Sequence, residues 1–407
     1  MDFALPYTPE QERFREEVRT WLEENIPEDM KEPNDSLDFT DEHWWFWREK
    51  HKELAKKGWL YPTYPKEYGG GGLTGEYETI IDEEFHRARA VHGFSESMIL
   101  STLLVWGTEE QKQKFLVPFL TGEATCHQRL TEPKGGADLA SYEGRAVRDG
   151  DDWLLTGQNV FISAYGREDY LPGPMMTDPD APRHRNLGYF MVPNPAPGLV
   201  VNEMELLVGH RQKAVFMDNL RVPSENLIGG DHEGWQVLGT HLEQEHGGRG
   251  KAFIKDEVID NLTNYARDTK RNGASLNSDP VIQQVVMNAT IDAHVADLLA
   301  KRAYWMYQSR VEVSYQGNVN DVFNRESDLR NTSRVRDVMG MYALLGTKEP
   351  EAPHGGQQEI NQRSKAGQRH AGGSNNISKV ILARRIGISR TQERPAPTPM
   401  TATKYGS

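Results

Sequence analysis

Two changes in the spacing of apolar residues divide this chain into three parts. Helical spacing runs through about the first 122 residues and returns near residue 234, while short apolar runs between turn residues fill the stretch in between. The order helices, strands, helices predicts an α+β fold. We place a helical domain at 1–122, a β-domain at 123–232, a second helical domain at 233–390 and a disordered tail at 391–407.

Local signals place the individual elements. Thr8-Pro9 supplies an N-cap and a proline at the first helical position of the first helix. Asp149-Gly150 and Thr156-Gly157 are typical of β-hairpins and predict turns between strands. The predicted helices span about 8–24, 41–57, 75–90, 94–106, 107–123, 281–310, 327–346 and 375–387, and a Gly/Gln/His-rich loop is expected over about 347–374.

Composition excludes several classes of protein. The net charge is −13, whereas nucleic acid and anionic membranes require a basic surface. A single cysteine, Cys126, allows neither an internal disulfide nor a CxxC metal site. No apolar run is long enough to cross a bilayer, and the charged N-terminus does not resemble a targeting peptide. These features predict a soluble cytoplasmic protein.

A metal site is not predicted either. His241 and His246 flank two glutamates, which superficially resembles a metalloprotease helix. That motif needs histidines four residues apart so that both lie on one helix face, and here the offset is five.

The segment from Gln128 to Asp138 is the most informative. It joins the first helical block to the β-block and contains Pro133, Gly135 and Gly136. Such a turn lets a planar or anionic ligand approach the backbone closely, but it can equally be a tight corner between domains.

Several motifs in one order resemble the acyl-CoA dehydrogenase family over about residues 8–390. TEPKGGAD at 131–138 resembles the family's TEPGAGSD flavin signature, and GQNVFIS at 157–163 resembles its GQKxWIT/S segment. FMDNLRVPSENLIGGDHEGW and ISKVILARRIG also match family landmarks. The resemblance implies an N-terminal helical domain, a middle β-domain and a C-terminal four-helix bundle, with FAD as cofactor.

Flavin contacts follow from the matching positions. In the family, the flavin ring lies between the β-domain and the C-terminal bundle. The resemblance implies that Thr131 lies near the pyrimidine edge of the ring, that Phe161 covers it and that Ser163 hydrogen-bonds near N5. The implied cofactor-binding residues are Gln128, Leu130, Thr131, Ala137, Phe161, Ser163, Ser374 and Asn376.

The catalytic base departs from the commonest family pattern. The position that usually carries the glutamate of the EGT motif is Gly372 here. In a minority of members, such as the isovaleryl-CoA and long-chain enzymes, the base lies on a bundle helix instead. The LxxE register of that helix implies Glu245 as the base, a role in which burial would raise its pKa.

Neighbouring positions have implied roles towards the substrate. Glu243 matches a residue that touches the pantetheine arm, His246 replaces an arginine, and the backbone N–H of Gly372 is expected to hold the thioester carbonyl. His241 lies one turn before Glu245, so it either faces that carboxylate or lies on the surface.

The part that binds the ADP half of a neighbour's FAD also departs from the family. Thr269 and Asn272 stand at the Arg and Phe positions of the RxxFG motif, and Ala343 and Thr347 stand at the Gln and final Gly of the QxxGG turn. We expect a tetramer, and these substitutions favour two different chains, unless Arg267 or Arg271 replaces the missing arginine.

The resemblance implies oxidation of an acyl-CoA to a trans-2-enoyl-CoA, with electrons passed to an electron-transfer flavoprotein. Two alternatives stay open. One is a flavin oxidase or monooxygenase of the same fold, such as a nitroalkane oxidase. The other is a catalytically silent subunit that completes a partner's site.

Overall fold

The computed structural model describes residues 7–163, 165, 167–207, 212–246, 257–309, 311, 314–367 and 374–389. In the N-terminal part, the described helices share one apolar core that includes Trp44, Trp47 and Phe85. The helices predicted there are confirmed to within a few residues. They are α1 (Pro9–Asn25), α2 (Asp41–Lys56), α3 (Gly75–Ala88), α4 (Ser97–Trp106), α5 (Glu109–Gln111) and α6 (Val117–Leu120), with a π-helical turn, Lys112–Leu116, between the last two.

Helix α1 begins where the sequence predicts. The Thr8 hydroxyl accepts a hydrogen bond from the Gln11 main-chain N–H at 3.2 Å, and the Gln11 side chain accepts one from the Thr8 N–H at 2.8 Å. This reciprocal pair satisfies two donors that would otherwise have no partner inside the helix.

A buried carboxylate fastens α1 to α3. Glu84 is 2% exposed and accepts hydrogen bonds from Arg19 (2.9 Å), Arg87 (2.7 Å) and Arg15 (3.2 Å). Burial by itself would raise the pKa of Glu84, but the hydrogen bonds from the three guanidinium groups prevail and lower it to about 2.

We expect Glu84→Gln to lower the free energy of unfolding at pH 7 by about 3 kcal/mol, because three neighbouring arginines lose their shared counter-charge. The folded-state pKa lies below the ordinary value of 4.5, so the contribution is complete above that pH and disappears as the pH falls towards 2. Urea unfolding at pH 7 and pH 3 measures both effects. Glu16→Gln is the control, since its exposed side chain lies 3.6 Å from Arg19. Equal losses in the two variants would contradict the prediction.

The middle part is a seven-stranded sheet with strand order β5-β6-β2-β1-β3-β4-β7. All neighbours pair antiparallel except β1 and β3. One core packs against the sheet and includes Trp153, Phe190 and Val215. The strands are β1 (Arg145–Asp149), β2 (Asp152–Ile162), β3 (Tyr170–Met176), β4 (Leu187–Pro193), β5 (Leu199–Met204), β6 (Gln212–Pro223) and β7 (Leu227–Ile228).

One of the two predicted hairpin turns is wrong. Asp149-Gly150 does join β1 to β2, with Asp149 paired to Asp152 and Gly150 at φ 65°. Thr156-Gly157 instead lies inside β2, where the register with β6 shifts between Leu155 and Gly157. A β-bulge uses the same small residues as a turn, so the dipeptide alone does not separate the two.

The C-terminal part is helical. Helix α10 packs against α8, α9, α11 and α12, whereas α7 packs against α4 and the sheet strands β3 and β4. A small hairpin, β8 (Lys270–Arg271) with β9 (Ala274–Ser275), follows α8. The helices are α7 (Gly234–His246), α8 (Glu257–Asp268), α9 (Pro280–Gln308), α10 (Gln316–Met339), α11 (Gln357–Gly367) and α12 (Asn375–Arg385).

The loop predicted over 347–374 contains a helix, α11, and is corrected accordingly. Its sequence has no apolar stripe, but Glu359 and Arg363 pair across one helical turn at 2.6 Å. Lys365 reaches Asp328 of α10 at 2.7 Å, and Ile360 is buried. Contacts with the rest of the bundle therefore stabilise a helix that the composition does not predict.

None of the helices in the described ranges has the length and apolar character that crossing a bilayer requires. The predicted disordered tail at 391–407 lies outside the described residues.

Candidate active site

The loop between α6 and β1 is built onto the edge of β3. The His127 N–H donates to Tyr170 O at 3.2 Å, and the Arg129 N–H donates to Pro172 O at 2.8 Å. Further along, the buried Glu132 carboxylate accepts the main-chain N–H groups of Glu143 (2.7 Å) and Gly144 (2.8 Å). These bonds hold the segment that resembles the flavin signature in one conformation.

The buried side chain of Arg129 holds this loop against β3, a role that the sequence interpretation missed. Its side chain is 0% exposed, and its guanidinium donates to Leu171 O (3.0 Å), Gly173 O (3.2 Å) and Asn159 Oδ1 (3.2 Å). Burial lowers the pKa of Arg129. Among the described residues no carboxylate lies within ion-pair distance of it. A charged residue between the predicted flavin-facing Gln128 and Leu130 was the signal available in the sequence.

Gly173 allows the loop to approach β3. A Cβ at this position would lie 2.2 Å from Arg129 O and 2.9 Å from Arg129 Cγ. We expect Gly173→Ala to push the loop away and to lower the stability by about 1–3 kcal/mol.

Thermal melting measures that effect, and limited proteolysis reports the loosened loop. Gly239→Ala in α7 is the control, because an added Cβ there meets no heavy atom within 4 Å and alanine favours a helix by about 1 kcal/mol. We expect Gly239→Ala to melt at or slightly above the native temperature. If Gly173→Ala does so too, the close approach of the loop to β3 is unimportant.

Gln128 is held from two sides. Its main-chain N–H donates to Glu96 Oε2 at 2.6 Å, and its side-chain Oε1 lies 2.6 Å from His241 Nε2. His241 is 0% exposed, and its Nδ1 lies 3.3 Å from the Tyr189 hydroxyl. The alternative that His241 lies on the surface is therefore wrong. Helix α7 lies against α4, where the Trp106 indole N–H donates to Thr240 Oγ1 at 2.9 Å, and this packing turns His241 inward.

The end of β2 lies beside the same loop. The Val160 N–H donates to Thr131 O at 2.9 Å, and the register with β6 shifts between Asn159 and Ile162. Within this irregular stretch Phe161 has φ 59° and a side chain that is 54% exposed. The positive φ strains the backbone, and the exposed ring leaves apolar surface in water unless something covers it.

Ser163 follows at the end of that strand, and its Oγ accepts a hydrogen bond from Gln212 Nε2 at 3.3 Å. The Val160–Thr131 hydrogen bond places the end of β2, which carries Phe161, beside Thr131. Leu130 is partly buried against the N-terminal core. An exposed aromatic side chain beside backbone and amide donors fits a planar ring such as a flavin.

The remaining predicted site residues are exposed, cap a helix or lie outside the described part of the chain. Ala137 and Asn376 are exposed, and the Ser374 hydroxyl caps α12 by accepting the Ile377 N–H at 3.3 Å. Gly372 lies outside the described residues. Glu243, Glu245 and His246 lie on α7, but their side chains fall outside the described part. The roles of all these residues stay predictions.

The region that would meet a neighbour's ADP group ends in the β8–β9 hairpin. Asn272 (φ 52°) and Gly273 (φ 82°) form its turn, a conformation that a phenylalanine would rarely adopt. Arg267 is exposed and pairs with Asp268 at 2.8 Å. Within the described residues, no group of three or more His, Cys, Asp or Glu side chains is arranged to hold a metal ion.

Family models cover most of the chain. The acyl-CoA dehydrogenase N-terminal domain matches residues 8–123, the middle domain matches 128–220 and the C-terminal domain matches 232–387. The acyl-CoA dehydrogenase FadE29 of Mycobacterium tuberculosis is 32% identical over 342 residues, which are 83% of this chain and 86% of that protein.

Solved structures show the same architecture. The ChsE4-ChsE5 complex from Mycobacterium tuberculosis aligns with a TM-score of 0.82 and 26% identity, covering 95% of this chain and 100% of that one. The Tcur3481-Tcur3483 steroid ACAD aligns with a TM-score of 0.83 and 26% identity, covering 97% and 100%.

Proposed function

Because this chain belongs to the acyl-CoA dehydrogenase family, a family of oxidoreductases, we propose that it binds FAD and desaturates an acyl-CoA thioester to the trans-2-enoyl-CoA. One observation carries the proposal. The partly buried contact between His241 of α7 and Gln128 of the loop joins the helix that bears Glu245 to the residues expected around the flavin ring. Glu245 lies four residues beyond His241, which is about 6 Å along the helix axis.

We assign a role to each residue of the proposed site. Glu245 accepts the proton from Cα of the thioester, and the Gly372 main-chain N–H holds the thioester carbonyl, where negative charge develops. Phe161 covers the ring face, while Gln128, Leu130, Thr131, Ala137, Ser163, Ser374 and Asn376 surround the cofactor. FAD, when bound, would accept the hydride that leaves Cβ. An electron-transfer flavoprotein is the proposed electron acceptor.

A bulky acyl group is the first substrate class to test. Position 372 is a glycine where most members of the family carry a glutamate, so no side chain is expected to compete there with a large acyl group. The Tcur3481-Tcur3483 relative, at 26% identity, is named a steroid ACAD. These two points favour a thioester with a polycyclic side chain over a short straight chain.

The proposed assembly is a tetramer of two different chains that holds two FAD. Thr269 and Asn272 replace the arginine and phenylalanine that would contact a neighbour's FAD, and Asn272 lies in a hairpin turn. A related partner chain would supply this contact. The similar ChsE4-ChsE5 structure is named as a complex of two proteins, which supports such an arrangement.

Anaerobic reduction tests the function. The chain is purified with a related subunit, and the visible absorbance of its flavin is followed after addition of steroid, branched or straight-chain acyl-CoA thioesters. Bleaching by a thioester, followed by reoxidation with an electron-transfer flavoprotein or a dye, supports the dehydrogenase. Rapid oxygen consumption would favour the oxidase alternative. Flavin and activity carried by the partner chain alone would indicate a silent subunit.

A further inference from the structure

We propose that His241 is a positioning residue that fixes the side-chain amide of Gln128, so that the amide NH2 group faces the flavin ring as a hydrogen-bond donor. The inference rests on the proposed function, because the flavin is the acceptor. It starts from a contact between two segments far apart in the chain, in which Gln128 Oε1 and His241 Nε2 lie 2.6 Å apart.

The neighbours of His241 decide which ring nitrogen carries the proton. Burial raises the pKa of Tyr189 well above its usual value, so its hydroxyl stays protonated and can donate to His241 Nδ1 at 3.3 Å. A neutral imidazole that accepts at one nitrogen donates at the other. Gln128 Oε1 can only accept, so the proton of this contact lies on His241 Nε2, and Nδ1 is left to accept from the Tyr189 hydroxyl.

The orientation of the Gln128 side chain follows from these contacts. Glu96 holds the main-chain N–H at 2.6 Å, which fixes the start of the side chain. Its Nε2 projects away from His241, and among the described residues no group accepts a hydrogen bond from it. A donor held in place before the ligand arrives loses little entropy on binding and stabilises negative charge on its acceptor. Reduced flavin is richer in electrons than oxidised flavin, so this donor favours reduction.

The same helix carries the predicted base. His241 and Glu245 are one turn apart on α7, and the His241–Gln128 hydrogen bond fixes that turn against the loop. One buried side chain thereby couples the position of the base to the orientation of a ring donor.

Four variants of the full complex test the inference: His241→Phe, His241→Gln, Gln128→Met and the double variant His241→Phe with Gln128→Met. The midpoint potential and visible spectrum of the bound flavin are measured along with kcat and KM. We expect His241→Phe to lower the potential and to reduce kcat about tenfold, with little change in KM. His241→Gln retains an N–H donor and is expected to restore most of both quantities.

Thr240→Val is the matched control. Thr240 precedes His241 on α7, and its hydroxyl accepts a hydrogen bond from Trp106 rather than contacting Gln128. We expect this variant to melt at a lower temperature while the flavin potential stays unchanged. A similar shift of the potential in Thr240→Val would mean that general loosening of α7, and not the His241 contact, is responsible.

The double variant separates direct from indirect action. If His241 acts through Gln128, adding His241→Phe to Gln128→Met changes the potential no further. Potential shifts that simply add would overturn the inference, and so would an unchanged potential in His241→Phe.

Failure of the proposed function has a different signature. A native complex that binds no flavin, or whose flavin no acyl-CoA reduces, refutes the function. The same variants then still test the contact by urea unfolding, where non-additive losses of stability for positions 128 and 241 are expected. Additive losses would show that the side chains of Gln128 and His241 are not energetically coupled.

Discussion

Glu245→Gln is expected to slow flavin bleaching by an acyl-CoA thioester by at least about 10²-fold, and by as much as about 10⁴-fold. The amide cannot accept the proton from Cα, and the EGT position holds Gly372, which has no side chain to take over. Helix α7 continues to His246, so the isosteric change leaves the backbone intact. Stopped-flow absorbance under anaerobic conditions measures the rate.

Glu243→Gln is the matched control on the same helix. Glu243 is expected to touch the pantetheine arm, so this variant should raise KM and leave the bleaching rate at saturating substrate near the native value. If the flavin of Glu245→Gln bleaches at the native rate, Glu245 is not the base. A large loss in Glu243→Gln would then transfer that role to Glu243.

The isolated chain is expected to lose FAD during purification. Thr269 cannot make the charge-assisted phosphate contact that an arginine makes, and Asn272 in its hairpin turn replaces an aromatic contact. The lost charge-assisted contact costs about 1.5–3 kcal/mol and the lost aromatic contact roughly a further 0.5–1.5 kcal/mol, so together they weaken binding by roughly 30- to 2,000-fold.

Light scattering and flavin absorbance test this expectation together. The chain is expressed alone and with a related subunit, and FAD per chain is compared at equal protein concentration. Two FAD in a tetramer of two different chains is the expected result. Thr269→Arg in the isolated chain should raise FAD retention, whereas Thr263→Arg, on the preceding α8, should not. A homotetramer of the unaltered chain with one tightly bound FAD per chain would refute the idea.

Much of the fold could be predicted because its signals are local. Thr8 and Gln11 satisfy the first donors of α1 within four residues, and the Asp149-Gly150 turn joins β1 to β2 directly. The long α9 follows from an apolar pattern that runs without a break. The roles expected of Thr131, Phe161 and Gln128 rest on motifs that occur in the same order as in the family, and they stay predictions.

Two predictions were wrong because the same local sequence is compatible with two different structures. Thr156-Gly157 has the composition of a turn, yet the pairing of β2 with β6 continues past it and leaves a bulge. The segment of α11 has the composition of a loop, but Lys365–Asp328 and the buried Ile360 fasten it to the bundle as a helix. In both cases a distant partner decided the conformation.

The sequence by itself determined the order of helices and strands, the family resemblance and the residues expected to surround the flavin. Only the tertiary structure decided that His241 is buried and that Arg129 anchors the loop. His241 meets Gln128 across 113 residues of chain and Tyr189 across 52, and Arg129 meets the Leu171 carbonyl of β3 across 42. A hydrogen bond between such segments depends on how helices and sheet pack, so the local sequence does not identify the partner of either residue.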